Sequence, residues 1–197
     1  MEKERTAIVP EHLFSALFVE CRKSKNRMLA PLVTLMLNTG MRPEEAVLLR
    51  WHQVHIDQQI IDLTKTKTDP RRVPLSASSI SVLMDIKRDG LLFVDEETAT
   101  KSHPVNFFRR SFAEACIRSG INVRKKRDGG AENSDQKNVT LYSLRHSAAT
   151  YLLASGVDLE TVRDILGHKT ILQTSKYIHM TDTHKINAVN RQLPWNK

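Results

Sequence analysis

The spacing of the apolar residues changes period twice along this chain, and that narrows the folds open to it more than any other feature. Over residues 10–24, Leu13, Leu17 and Val19 recur among polar neighbours at roughly helical spacing. A second helix is predicted over Leu29–Leu37, stopped at Asn38-Thr39-Gly40. Pro43 suits the first turn of a third, with Glu44 and Glu45 near its positive end. The period then shortens. Val54-His55-Ile56, Ile60-Ile61-Asp62-Leu63 and Arg72-Val73-Pro74-Leu75 are short, β-branched and bounded by turn residues, as in a small antiparallel sheet. Helical spacing returns over Ser76–Arg88, Pro104–Ser119, Ser143–Ser155 and, after a cap at Asp158, up to Gly167. Short helices are expected over Thr170–Tyr177 and Asp182–Asn190. The polar stretch 122–138 fits no period and reads as a loop. The prediction is a mainly helical α+β chain with a three-stranded antiparallel sheet.

Composition excludes several classes. A chain of 197 residues buries roughly 70% of its unfolded surface and needs no staples. Cys21 and Cys116 are too few for a disulfide framework and read as buried free thiols. No apolar run approaches the ~20 residues that span a bilayer, and the first ten residues lack the apolar stretch of a signal peptide. The expected location is therefore the cytoplasm. The net charge of +8 is uneven: residues 1–100 hold 14 basic and 14 acidic side chains, residues 101–197 hold 16 and 8. Such one-sided excess suits a polyanion.

Four segments carry the chemistry. Arg42 lies in TGMRPEEAVLLRW, Lys67 in TKTKTDPRRVPL, Arg145 in YSLRHSAATYLLASGVD, and His168 and Tyr177 in LGHKTILQTSKYIHM. Singly, each has a bland explanation: a surface arginine, a solvated hairpin lysine, a helix-end cap, a core tyrosine. In this order and spacing they resemble the catalytic domain of the tyrosine recombinases, the phage-integrase family. The resemblance runs from about Pro10 to the C-terminus. It includes a carboxylate three residues after the first arginine, a Leu-Arg-His run leading into a small-residue helix, and a tyrosine nine residues after Leu-Gly-His.

The resemblance implies a site-specific DNA recombinase that cuts and rejoins strands through a covalent 3′-phosphotyrosine. Physical chemistry agrees with it. A phosphodiester attacked by a phenol gathers charge on its non-bridging oxygens, which two arginines can clamp bidentately. Arg42 and Arg145 fit that role, His168 adds a donor, and Tyr177 is the implied nucleophile. Lys67 is the implied acid for the 5′-oxygen, with Lys65 as the alternative in the same turn. Glu45 is expected to orient Arg42 or Lys67. No cofactor or metal is implied.

One position departs from the family. Its usual histidine three places before the second arginine is Tyr142 here. With an ordinary pKa near ~10, a phenol is a poor base at neutral pH. Tyr142 is therefore expected to orient the phosphate, with Tyr177 deprotonated through water or His168. His146 reads as a packed or capping histidine, because one residue along a helix turns a side chain by ~100° from Arg145. The Arg124-Lys125-Lys126-Arg127 run is either a solvated loop or a set of phosphate contacts.

The implied partner is double-stranded DNA. By resemblance the protein is a monomer in solution and a tetramer on synapsed DNA, docking through Asp182–Trp195. Residues 1–197 read as a single catalytic domain without the family's N-terminal core-binding domain. Two other readings remain open at this point: strand nicking and closing of the topoisomerase kind, and a DNA-binding regulator without catalysis.

Overall fold

The computed structural model describes residues 7–64, 70–86, 90–101, 103–122 and 138–178. Its framework is a set of helices packed around one of their number, α2 (Leu29–Thr39). Leu29, Leu32, Val33, Leu35, Met36 and Thr39 are all buried, so this helix is covered on nearly every side. Against it pack α1 (Phe14–Arg22), α3 (Pro43–Val47), α4 (Ala77–Met84), α6 (Asn106–Arg118) and α7 (Leu141–Ala154). Phe108 and Phe112 of α6 complete the main core with Leu17, Met41 and Leu144. Cys21 and Cys116 lie buried and free in the same core. Burial pushes both thiols up to about 12, so they stay protonated and inert.

The sheet is antiparallel in the order β1 (Val54–His55), β2 (Ile60–Leu63), β3 (Arg71–Pro74). Its register pairs Ile61 with Val73 and Leu63 with Arg71. Period 2 sends Ile61, Leu63 and Val73 into the core. Arg71, two residues before Val73, shares that inward face. This alternation later supplies the site with a guanidinium.

Several boundaries differ from the sequence reading, each for a local reason. The first helix begins as a 3-10 turn, Glu11–Leu13, before α1. Helix α4 is shorter than Ser76–Arg88; Ser76 accepts a hydrogen bond from the Ser79 N–H and so caps it one residue later. Helix α5 (Glu96–Lys101) has no apolar stripe and gave no periodic signal; Asp95 Oδ1 accepts from Thr98 N–H at 2.6 Å and starts it. Helix α7 begins two residues before the predicted start, at Leu141, so Tyr142 sits in its first turn. Asn122 and Val139 exchange hydrogen bonds of 2.9 and 2.8 Å, which fixes the approach to α7. The predicted helix over Asp182–Asn190 lies outside the described residues.

Behind α7 come α8 (Leu159–Leu166) and α9 (Ile171–Ser175). Asp158 caps α8 by accepting from Thr161 N–H at 2.9 Å. Ala149 and Leu153 of α7 pack on Val162 and Leu166 of α8, with Tyr177 in the same cluster. Gly40 joins the two halves. It ends α2 in the left-handed region at φ +63°, and a Cβ there would lie 2.6 Å from Leu166 Cδ2 and 3.6 Å from Ala148 Cβ. Gly40→Ala is expected to destabilise the protein by at least about 1–2 kcal/mol, the left-handed backbone penalty alone. Urea unfolding measures this, and an unchanged midpoint contradicts it.

Candidate active site

The ends of α2 and α8 meet at Arg145. Its guanidinium donates to Gly40 O and to Leu166 O, both at 2.8 Å. These carbonyls sit where helices finish and lack intrahelical partners, and both lie at the negative ends of helix dipoles. Arg145 is only 3% exposed. Burial, then the charge of Arg42, lowers its pKa to about 10. It remains a cation at neutral pH.

A second cluster forms around Glu45. Pro43 starts α3, and the Glu45 carboxylate turns back to accept from Arg42 N–H at 2.9 Å and from Arg42 Nη1 at 2.9 Å. Arg71 reaches the same carboxylate as a fork, Nη1 to Oε1 at 3.0 Å and Nη2 to Oε2 at 2.7 Å. Its Nε donates to Ile165 O at 3.3 Å. Side-chain exposure is 7% for Arg71 and 8% for Glu45. Burial alone would raise the Glu45 pKa. The hydrogen bonds and charge of Arg71, then those of Arg42, reverse this and hold it below the usual carboxylate range. Gly167 makes room for the fork: a Cβ there would lie 2.5 Å from Arg71 Cδ.

The end of α8 presents the next group. Gly167 adopts φ +65°, with Gly167 N–H bonded to Asp164 O and His168 N–H to Arg163 O, both at 3.1 Å. This is the Schellman pattern. His168 follows it, and His168 Nδ1 lies 2.8 Å from Thr174 Oγ1 of α9. Burial first, then the charges of Arg145, Arg42 and Arg71, lower the His168 pKa to about 4. The imidazole is neutral, kept so by burial and by the positive potential of the three guanidiniums.

Tyr177 follows α9, its N–H bonded to Thr174 O at 3.0 Å. It is 5% exposed. Its ring stacks on His168, with centroids 6.3 Å apart and planes 12° from parallel. Its hydroxyl lies 2.8 Å from His146 Nδ1. Burial raises the Tyr177 pKa; Arg145 and Arg42 oppose the shift and Tyr142 adds to it. His146 is pushed below its usual range by burial, then by Arg145 and Lys176. Tyr142 stands at the outer edge, 45% exposed, its ring 5.9 Å from that of His146.

The structure thus brings Arg42, Glu45, Arg145, His168 and Tyr177 into one neighbourhood, with Tyr142 at its rim. Lys65, Lys67, Arg124, Lys125, Lys126 and Arg127 lie outside the described residues, as does Asp182–Trp195. One expectation needs correction. His146 does not turn away from the site: α7 presents Arg145 towards the two helix ends and His146 towards Tyr177. The ~100° between them spans the site instead of leaving it. Arg71 was not anticipated as a site residue, although its place two residues before inward-facing Val73 was the available signal. Thr174 carried no signal. Among the described residues, no group of three His, Cys, Asp or Glu could hold a metal, and no helix is long and apolar enough to cross a membrane.

The chain belongs to the phage integrase family, whose sequence model matches residues 9–184. It is similar to tyrosine recombinase XerD of Lacticaseibacillus casei, 29% identical over 160 residues, covering 81% of this chain and 53% of that protein. The chain therefore spans about half the length of such curated relatives. Among solved structures it is similar to the catalytic domain of bacteriophage HP1 integrase, with a TM-score of 0.68 and 29% identity over 98% of this chain and 99% of that one. It also shares its fold with the XerH site-specific recombinase bound to palindromic difH substrate in a post-cleavage complex. That match has a TM-score of 0.69 and 21% identity over 98% of this chain and 54% of the other. The fold class expected from the sequence is the one found.

Two pH limbs follow from the site. Glu45, with its folded pKa lowered, contributes stability that is full above its unfolded pKa near ~4.3. That stability is lost as pH falls through the lower folded value. His168 is also depressed, so the unfolded chain binds the proton more tightly between about 4 and 6.5. Stability therefore falls as pH drops through that window. His146 acts in the same direction. Urea midpoints from pH 7 to 4 are expected to fall, and His168→Asn to flatten the decline. A wild-type midpoint constant over that range contradicts the assignment. Glu45→Ala leaves Arg71 buried without its carboxylate and is expected to cost about 3–5 kcal/mol by the same assay; a midpoint equal to wild type contradicts that.

Proposed function

We propose that the protein cleaves and rejoins double-stranded DNA as a site-specific recombinase of the integrase kind. The reading rests above all on one arrangement: the Tyr177 hydroxyl held by an imidazole beside the charge of buried Arg145. The chain's similarity to the catalytic domain of HP1 integrase and the fold it shares with the DNA-bound XerH site-specific recombinase support this reading.

In this scheme Tyr177 Oη attacks the scissile phosphorus and displaces the 5′-oxygen, leaving a 3′-phosphotyrosine that stores the bond for rejoining. Arg145 and Arg42 stabilise the charge that develops on the non-bridging oxygens, and His168 donates from its second ring nitrogen. Both cations are held in place before substrate arrives, one by helix-end carbonyls and one by Glu45. Little reorganisation is then needed at the moment of reaction. Tyr142 orients the phosphate from the rim. Lys67 supplies the proton to the leaving 5′-oxygen. The run Arg124–Arg127 contacts phosphates, and the segment Asp182–Trp195 links protomers into a tetramer on synapsed DNA, the protein being a monomer when free. Residues 1–197 act as one catalytic domain, and the protein works in the cytoplasm against the nucleoid.

The experiment is to incubate the protein with a library of nicked suicide duplexes of randomised sequence and to isolate covalent protein–DNA adducts. The expected adduct maps to Tyr177 by peptide mass spectrometry and is abolished by Tyr177→Phe. Its yield falls steeply between low and physiological salt, because phosphate contacts dominate the binding that precedes it. An adduct on another residue, or none with any duplex, overturns the reading.

A further inference from the structure

We propose that His146 is the group that takes the phenolic proton of Tyr177; the inference rests on the reading of Tyr177 as nucleophile. Oη lies 2.8 Å from His146 Nδ1, within the range required of a general base. The direction of that hydrogen bond follows from burial. Tyr177 is 5% exposed. If Nδ1 carried the proton and donated to Oη, the phenolic hydrogen would be left buried without an acceptor among the described residues. With the proton on Nε2, Nδ1 accepts from Oη and both groups are satisfied.

The other imidazole is placed differently. His168 Nδ1 is taken up by Thr174 Oγ1 at 2.8 Å. The His168 ring lies nearly parallel to the phenol, at 12° and 6.3 Å. Among the described residues the hydrogen bond of Oη runs to His146 Nδ1, and that of His168 runs to Thr174. This leaves the outer nitrogen of His168 for the phosphate and Nδ1 of His146 for the proton. Tyr142, four residues before His146, shares its helical face but is itself a phenol.

The surroundings keep His146 ready to accept. The groups facing it are Tyr142 and Arg145 from α7, Lys176 and Tyr177 from the turn after α9, and His168 from the end of α8. Burial, then the charges of Arg145 and Lys176, keeps the resting imidazole neutral. In the forward step the Oη–P bond forms, the P–O5′ bond breaks, the phenolic proton moves to Nδ1, and O5′ takes a proton from Lys67. On rejoining, each transfer runs backwards. An imidazolium beside Arg145 returns its proton readily, as suits a reaction that must reverse.

Two measurements test this. Nitrogen-15 NMR of the imidazole rings in the free protein is expected to show His146 protonated at Nε2 with Nδ1 as acceptor; an Nδ1–H tautomer overturns the proposal. Single-turnover cleavage of a nicked duplex selected with wild-type protein is expected to slow by about 100-fold or more at neutral pH in His146→Ala. The variant's rate should climb with pH where the wild type levels off, and added imidazole should restore part of it. A sulfur-bridged 5′ leaving group, which needs no proton, should not rescue this variant. His146→Gln preserves the volume and a hydrogen bond and should be nearly as slow, which separates proton transfer from packing. Unchanged rates in both variants, or rescue by the sulfur leaving group, overturn the role of His146 while leaving the Tyr177 adduct intact. Failure of the wild type to form any adduct overturns both readings.

Discussion

The site depends on one buried cation held by two helix ends. Among the described residues Arg145 pairs with no carboxylate; its guanidinium is bonded to the terminal carbonyls of α2 and α8. Those carbonyls are available because Gly40 and Gly167 turn left-handed at both helix ends. From there the order propagates. Gly167 leaves space for Arg71, Arg71 forks onto Glu45, and Glu45 fixes Arg42 through its backbone and its side chain. Residues more than a hundred positions apart in sequence are thus tied by donors that each satisfy a buried acceptor.

The electrostatic consequence is a pair of neutral histidines beside fixed positive charge. The guanidiniums hold His168 at about 4 after burial has already lowered it. They also pull the Tyr177 pKa down against the larger effect of burial. A phosphate entering this region would meet donors already aimed and would relieve the mutual repulsion of the cations. The same anion would favour protonation of His168, so substrate binding and proton position are coupled through a single potential. Tyr177 is packed between two imidazoles with little exposed surface, so its hydroxyl is oriented before any strand is engaged.

The helices, the sheet and most of the described site residues were legible in the sequence because each rests on local signals. Apolar period marked α2 and α6, Gly40 and Gly167 marked helix ends, and the Arg42, Arg145, His168, Tyr177 series has family spacing. What escaped is non-local. Arg71 gains its role only through the register that pairs it with Leu63 and turns it inward. His146 gains its role from the position of α9, which no spacing within α7 can report. Helix α5 escaped because a polar helix held by an Asp95 cap has no period to read.

The most direct test is a crystal structure of the protein with a nicked DNA duplex and orthovanadate, which mimics the pentacoordinate phosphorus of strand transfer. Vanadium is expected to be bonded to Tyr177 Oη, with its equatorial oxygens hydrogen-bonded to Arg42, Arg145 and His168, and His146 retained on Oη. Vanadium bonded to another side chain, or arginines turned away from the equatorial oxygens, would contradict it.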